Sequence, residues 1–181
     1  LCNLMSGLFE DHELDETTIE RLFLYACSWA IGSLIEPDDR VKWDDYLRSK
    51  DTKGMMPECG EHETIFEYFV DPADKAWKVW KPPIWEYPEG DSLDFSNLLV
   101  PTMDSTRSLF VTSELHKQKK AVLMVGGPGT AKTSTALMFF HSLDPHEMLQ
   151  KVVSFSSATA PIGAQSAVEV EVEKRGGKSF G

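Results

Sequence analysis

The sequence predicts an α/β fold in which a mostly helical unit precedes a partial parallel sheet with helices. Apolar side chains recur at helical spacing through much of residues 1–47, and residues 121–140 read as apolar run, glycine-rich loop and second apolar run. Residues 1–100 carry 22 acidic and 9 basic side chains, whereas residues 101–181 carry 7 and 9. This charge asymmetry indicates two pieces with different surfaces.

Composition argues against several classes of partner. The acidic first half would repel phosphates, so no nucleic-acid partner is predicted. No apolar run reaches the roughly 18 residues that span a bilayer, and residues 1–9 lack the basic start of a signal peptide, so no membrane partner is predicted. The three cysteines form no CxxC motif and are interpreted as reduced thiols, and His141 and His146 as a surface pair.

The first helices follow from periodicity and capping signals. Residues 1–9 place apolar side chains at helical spacing, so the chain opens inside an amphipathic helix and without Met, which suggests a fragment of a longer protein. Thr17 and Glu20 fit a capping box for a second helix through Ile35. Its many apolar positions predict burial on most sides.

Proline shapes the segments that follow. Pro37 suits the first turn of another helix, and the two aspartates after it favour the positive end of that helix. Residues 49–60 are predicted to form a loop, and residues 65–70 either a strand or a short helix. Residues 76–91 hold three Trp and three Pro, and are interpreted as rings that pack an irregular connector rather than as a ligand platform.

A strand, a glycine-rich loop and a helix follow one another after a predicted helix at 106–116. Residues 121–125 are predicted to form a buried parallel strand, residues 126–132 the loop and residues 133–141 the helix. In such a P-loop, glycines let backbone N–H groups converge on phosphate oxygens, and the helix N-terminus adds positive charge. Lys132 would reach the β and γ phosphates, and the Thr133 hydroxyl would ligate Mg²⁺.

One position departs from the general P-loop pattern, which has glycine where this chain has Ala131. A methyl group is tolerable there if φ is negative, and not if a ligand approaches closely. A glycine turn without any ligand is the alternative interpretation, but it does not explain the Lys-Thr pair at the helix start.

Two segments beyond the loop are less specific. Residues 151–157 are predicted to form a second strand. Residues 167–175 alternate like a strand, but their Glu and Lys content suits a helix, so periodicity leaves them undecided.

Several segments together resemble dynein heavy chains, and more closely the axonemal ones. LLVPTMDSTR at 98–107, the loop at 122–133, SFSSATAP at 154–161 and VEKRGGKSFG at 172–181 resemble the start of the third AAA+ module of these motors. The GTAKT spelling is nearer to outer-arm chains. Residues 8–34 resemble the helical small subdomain that closes the second AAA+ module, so the resemblance covers nearly the whole chain.

The resemblance implies a division of the chain and a nucleotide site. Residues 1–60 would be the helical small subdomain of the second AAA+ module, 61–97 an aromatic and proline-rich connector, and 98–181 the N-terminal part of the third module. The third module would bind ATP or ADP with Mg²⁺ at a regulatory site. The implied phosphate-binding residues are Gly126, Gly127, Pro128, Gly129, Thr130, Ala131, Lys132, Thr133 and Ser134, and the implied adenine-pocket residues are Leu99, Val100 and Pro101.

The implied parent is an ATP-driven, minus-end-directed microtubule motor of cilia and flagella. Its partners would be the neighbouring AAA+ modules, microtubules and dynein intermediate and light chains, and its location the cytoplasm, the cytoskeleton and the axoneme. Hydrolysis needs a Walker B acidic pair and an arginine finger, and neither is found up to Gly181. We therefore expect that these residues do not hydrolyse ATP alone.

The sequence departs from the family pattern at two places. The family usually has Phe-Gln-Arg where this chain has Ala164, Gln165 and Ser166, and a bulkier residue at Gly163, which puts a helix there in question. A stand-alone P-loop scaffold or regulatory module without hydrolysis is the alternative function. A complete small kinase-like enzyme would need more strands than the residues after the P-loop can supply.

Overall fold

Helices make up most of the secondary structure in the computed structural model, which describes residues 1–87 and 98–171 and the backbone of 174–176 and 179–180. The chain forms two compact units, residues 1–139 and residues 140–181. The α-helices are α1 (Cys2–Asp11), α2 (Glu16–Ala30), α3 (Arg40–Lys50), α4 (Met103–Lys117), α5 (Lys132–His141) and α6 (Pro161–Glu169). The strands are β1 (Tyr68–Val70), β2 (Trp77–Val79), β3 (Lys174–Gly176) and β4 (Ser179–Phe180).

The second helix begins at an aspartate rather than at the predicted threonine. The Asp15 carboxylate accepts a hydrogen bond of 2.7 Å from the Thr18 backbone N–H, and Asp15 is therefore the N-cap. The predicted capping box is wrong, because Thr17 already lies inside α2 and Glu20 pairs with Lys53 instead.

Burial of α2 is one-sided, in contrast to the prediction. Leu22, Tyr25 and Ala26 are buried, whereas Ile19 and Phe23 keep 41% and 45% of their surface exposed. The helix also ends at Ala30 rather than Ile35, and a 3-10 turn, Gly32–Leu34, follows it. An amphipathic helix with one solvent-facing apolar stripe replaces the expected buried one.

Acid is expected to loosen the first turn of α2. The hydrogen bond from the Thr18 backbone, followed by that from Lys75, lowers the pKa of Asp15 from 3.8 to about 2. Because the folded pKa lies below the unfolded one, this N-cap stabilises α2 fully above about pH 4, and the stabilisation is lost as the pH falls towards about 2. Hydrogen-exchange protection factors for the α2 amides, corrected for intrinsic rates, measure the loss.

The matched control for this prediction is Asp15→Asn. Its side-chain oxygen accepts the same hydrogen bond without titrating in this range. An equal acid-dependent loss in the Asn variant would assign the effect to other carboxylates.

Proline and a buried carboxylate organise the region after α2. Pro37 starts a 3-10 turn, Pro37–Asp39, that leads directly into α3. The predicted helix is therefore present, but it begins at Arg40, with Asp39 as its N-cap, rather than at Pro37. Asp44 on α3 accepts a hydrogen bond of 2.7 Å from the Ile65 N–H, and Arg48 donates to its other oxygen at 2.6 Å. This carboxylate therefore joins α3 to the 3-10 turn Ile65–Glu67 that precedes β1.

Part of the aromatic segment, residues 76–91, forms strand β2 and packs on the core. β1 and β2 pair antiparallel, with Tyr68 opposite Val79 and Val70 opposite Trp77. Trp80 stacks on Phe69 with ring centroids 4.3 Å apart and is 7% exposed. Trp77 and Trp80 pack on the core as predicted, whereas Trp85 contacts the ring of Tyr87 instead. Residues 77–79 form a strand, which was not predicted, and residues 88–91 of the segment lie outside the described residues.

The main core draws on four elements of the first unit. α1, α2, the hairpin region and α4 meet there, and a smaller cluster joins α3 to the segment before β1. The buried members of the main cluster are Leu4, Leu8, Leu22, Tyr25, Ala26, Val70 and Trp80, against which Phe110, Val111 and Leu115 of α4 pack. α4 is thus part of the same core as the helices at the start of the chain.

Contact between α1 and α4 is close enough to require glycine. A Cβ atom at Gly7 would lie 2.6 Å from the Glu114 backbone oxygen and 3.0 Å from its side-chain Oε2. Glu114 is 2% exposed, and burial raises the pKa of its carboxyl although the Lys117 ammonium, 2.9 Å from its Oε1, opposes this rise. Lys117 also donates to Asp11 of α1, so charged groups close the end of this interface.

Two predicted strands are not formed by the described residues. Residues 121–125 lie outside any strand, with Leu123 and Val125 86% and 84% exposed, and residues 151–157 are likewise not a strand, with Phe155 72% exposed. A parallel strand is stabilised by hydrogen bonds to strands on both sides and by helices on both faces. The part of the chain that the structure describes provides no such neighbours, because its sheets are the two-stranded antiparallel β1–β2 and β3–β4.

The undecided segments of the second unit are resolved. α6 covers Ala164, Gln165 and Ser166, so a helix forms there without the usual Phe-Gln-Arg run, and Pro161 starts it. The helix ends at Glu169, and strand backbone at Lys174–Gly176 pairs antiparallel with β4. Residues 167–175 are therefore helical at their start and extended at their end.

Candidate phosphate-binding site

The P-loop leads directly into α5. The Ala131 carbonyl accepts a hydrogen bond of 2.9 Å from the Thr135 N–H, which closes the first turn, and the Thr135 hydroxyl donates to the same oxygen. The N–H groups of the first helical turn have no acceptor within a helix. Those of Lys132, Thr133 and Ser134 are therefore available to an anion at the loop, and the helix dipole adds to the attraction.

Lys132 curls back over the loop. Its Nζ donates to the Gly127 carbonyl oxygen at 2.6 Å and to Thr130 Oγ1 at 3.1 Å. The structure therefore brings Gly127, Thr130 and Lys132 together, as the sequence predicts for residues of one phosphate site. The positive charge of Lys132 therefore lies at the loop.

The backbone of the loop is open to an approaching ligand. A Cβ atom added at Gly127 or at Gly129 would have no heavy atom within 4 Å, and Gly129 has a φ of +76°, which a residue with a side chain rarely adopts. Thr133 is exposed at the second position of α5, so its hydroxyl is accessible to a hydrated cation. The residues present therefore fit a nucleotide's phosphates with Mg²⁺.

Ala131 takes a conformation that favours glycine. Its φ is +55°, in the left-handed region, so the condition of negative φ under which its methyl group would be tolerable is not met. The left-handed conformation costs an L-residue about 1 to 2 kcal/mol. The departure from the general P-loop pattern is thus a strained position at the helix start.

Ala131→Gly is expected to relieve this strain. The gain is about 0.5 to 1 kcal/mol, since relief of the left-handed strain is partly offset by the larger backbone entropy of glycine in the unfolded chain. This gain is in the stability of the first turn of α5, whose amides should exchange with solvent about two- to fivefold more slowly. Hydrogen-exchange protection of the α5 amides measures it. Ala136→Gly, in the interior of α5, is the control and should lower this protection. Unchanged or lower protection in Ala131→Gly would contradict the prediction.

The base-binding candidates lie ahead of α4. Val100 is 49% exposed, Leu99 and Pro101 are half-buried, and Thr102 caps α4 through a reciprocal pair with Ser105. Within the described chain, no hydrogen bond joins residues 99–101 to the loop. Their role in an adenine pocket stays a prediction.

Helix α5 is anchored to α4 by ring packing. Phe139 is 8% exposed, and its ring lies 5.3 Å from the His116 ring in an edge-on arrangement. His116 belongs to the last turn of α4, close to the start of the loop segment. This ring contact therefore joins the end of α4, which precedes the loop segment, to α5, which follows it.

Polar residues buried on α4 were missed by the sequence analysis. Arg107 is 7% exposed and pairs with Glu67 at 3.3 Å, and Glu114 is buried against Gly7. The signal was their spacing of seven residues with Phe110 between them, which places all three on one helical face. Charged residues on a helical face that packs against the core are expected to be paired, and here Arg107 pairs with Glu67 and Glu114 with Lys117.

The described residues contain neither a candidate metal cluster nor a candidate membrane-spanning helix. Among the described residues, no group of three or more His, Cys, Asp or Glu side chains is arranged to hold a metal ion. The three cysteines are free, and burial raises the pKa of the Cys59 thiol to about 11, so that thiol is protonated at neutral pH. Within the described part, no helix is both long and apolar enough to cross a membrane.

Family comparisons match both halves of the chain. Residues 1–82 match the model of the dynein heavy chain AAA lid domain, and residues 86–181 match that of the P-loop containing dynein motor region. The second match begins ahead of α4 and includes the loop and α5.

Curated relatives agree with these models. The chain is 36% identical over 171 residues to the dynein gamma chain of the flagellar outer arm of Chlamydomonas reinhardtii, covering 93% of this chain. It is 35% identical over 188 residues to dynein axonemal heavy chain 8 and 34% over 173 residues to dynein axonemal heavy chain 5, both of Mus musculus, covering 99% and 93% of this chain. It spans 4% of the length of each of these relatives. The chain therefore belongs to the dynein heavy-chain family, with an AAA lid segment followed by a P-loop segment of the motor region.

Proposed function

We propose that the chain binds ATP or ADP with Mg²⁺ at a regulatory site of a dynein motor. The observation that carries this proposal is the arrangement of Lys132 over an open glycine loop at the N-terminus of α5. Backbone N–H groups at such a helix start bind phosphate oxygens, and the lysine supplies the neutralising charge. The Thr133 hydroxyl ligates Mg²⁺, which neutralises phosphate charge when it is bound.

The two family segments support a division of roles along the chain. Residues 1–60 close the second AAA+ module, residues 61–97 connect the modules, and residues 98–181 begin the third. Leu99, Val100 and Pro101 line the adenine pocket. The segments at 121–125 and 151–157 become strands of a parallel sheet that other parts of the heavy chain complete.

The parent protein is proposed to be an ATP-driven, minus-end-directed microtubule motor of the ciliary or flagellar axoneme. Its partners are the neighbouring AAA+ modules, microtubules and the intermediate and light chains of the complex. The flagellar outer-arm and axonemal names of the relatives support this assignment. Residues 1–181 alone are proposed not to hydrolyse ATP, because a Walker B acidic pair and an arginine finger are required for hydrolysis.

Two measurements test the proposal. The native polypeptide that contains this sequence should have an intact mass of hundreds of kilodaltons, and peptide sequencing beyond Gly181 should reach an apolar strand that ends in two acids. Photolabelling of that polypeptide with an azido-ATP analogue and Mg²⁺ should modify peptides of residues 98–140, in competition with ATP and ADP. A native mass of about 20 kDa would favour the stand-alone P-loop module instead, and absence of labelling in this region would exclude a nucleotide site.

A further inference from the structure

The Thr130 hydroxyl forms hydrogen bonds with both Gly127 and Lys132, which are also bonded to each other. Its Oγ1 donates to the Gly127 carbonyl oxygen at 2.9 Å and accepts from Lys132 Nζ at 3.1 Å. Lys132 Nζ donates to the same carbonyl at 2.6 Å. The three groups therefore form a closed triangle of hydrogen bonds within the loop.

The hydroxyl also lies against the first glycine of the loop. A Cβ atom at Gly126 would be 3.0 Å from Thr130 Oγ1 and 3.7 Å from Lys132 Cδ. The side chains of Thr130 and Lys132 therefore occupy the side of the loop that Gly126 leaves open. A valine at position 130 keeps the shape of threonine, but it neither donates nor accepts a hydrogen bond.

Holding the lysine in advance favours phosphate binding. A lysine side chain has four rotatable bonds, and fixing it during binding reduces affinity. The backbone around Thr130 needs support as well, because Gly129 and Ala131 on either side both have positive φ. A group that ties Lys132 to the loop reduces the entropy lost when this side chain is fixed, and it also supports the strained backbone on either side of Thr130.

We propose that the Thr130 hydroxyl is a positioning group that holds Lys132 Nζ over the loop and so raises the affinity for nucleotide phosphates. The inference rests on the proposed function, namely that this loop binds nucleotide. It assigns to the Thr130 side chain a role through Lys132, separate from the phosphate contacts of the backbone.

The test uses four variants of the full-length heavy chain: Thr130→Val, Thr130→Ser, Lys132→Ala and Thr130→Val with Lys132→Ala. Each is titrated with the azido-ATP analogue and Mg²⁺, and labelling is measured on peptides that contain residues 126–134, which separates this site from others in the same chain. Thr130→Val should weaken binding about three- to tenfold, the effect of one lost hydrogen-bonding group. Thr130→Ser, which retains the hydroxyl, should bind within about twofold of the unmodified protein.

The double variant distinguishes positioning from a general structural role. If Thr130 acts through Lys132, adding Thr130→Val to Lys132→Ala should cause no further loss, whereas an independent contribution adds to it. Wild-type affinity in Thr130→Val, equal weakening in Thr130→Ser, or an additive loss in the double variant would each overturn the positioning role while leaving the nucleotide site intact. Absent labelling of the unmodified protein would overturn the proposed function and this inference with it.

Discussion

Lys132→Ala is expected to lower nucleotide affinity at the loop about ten- to a hundredfold, because it removes charged hydrogen bonds worth about 1.5 to 3 kcal/mol. In the structure the ammonium lies over the loop, bonded to the Gly127 carbonyl. Alanine therefore removes the charge that we propose neutralises phosphate, together with the hydrogen bonds that Lys132 makes within the loop. Site-resolved photolabelling over a range of nucleotide concentrations measures the change.

Lys120→Ala is the control matched in charge. Lys120 is exposed and lies ahead of the loop, and its removal changes the net charge of the chain by the same amount. Its affinity should stay close to that of the unmodified protein. If Lys132→Ala binds as tightly as this control, the glycine turn without a ligand becomes the better interpretation.

Gly7→Ala is expected to separate α1 from α4 locally. The new Cβ atom would lie 2.6 Å from the Glu114 backbone oxygen, which cannot swing away as a side-chain tip can. Overpacking of this kind costs about 1 to 3 kcal/mol. Amides of both helices should therefore exchange with solvent about five- to a hundredfold faster, if local opening governs their exchange.

Gly163→Ala provides the matched control for this substitution. Gly163 lies inside α6, and a Cβ atom there has no heavy atom within 4 Å. The same chemical change should stabilise α6 by about 0.5 to 1 kcal/mol, because alanine is the better helix former. Unchanged exchange in α1 and α4 of the Gly7 variant would show that the interface can relax around the methyl group.

Local signals were sufficient to predict most helices. The periodicity of residues 1–9, the proline before α3 and the apolar spacing of α4 and α5 are properties of short segments, and the structure has helices at all four places. The error at α2 is also local in origin. Asp15 and Thr17 are both good N-caps, and the sequence does not show which of the two carries the bond.

Non-local contacts set the limit of the prediction. The segments at 121–125 and 151–157 have strand-like composition, but a parallel strand depends on neighbours far away in sequence, and the described residues do not supply them. The close approach at Gly7 is similar, because a glycine in a helix gives no sign of which backbone it faces. At the loop, residue types predicted Lys132 as the phosphate ligand, whereas the positive φ of Ala131 and the Thr130 network depend on coordinates.

The shared core has a practical consequence for dividing this chain. The two family segments adjoin between residues 82 and 86, yet α4 from the second segment packs on α1 and α2 of the first. Cleavage or separate expression at this junction would leave Leu4 and Leu8 on one product and Phe110 and Leu115 on the other facing water. Both products would then expose apolar surface that favours aggregation. Sequence-family boundaries here are poor guides to where the polypeptide can be cut.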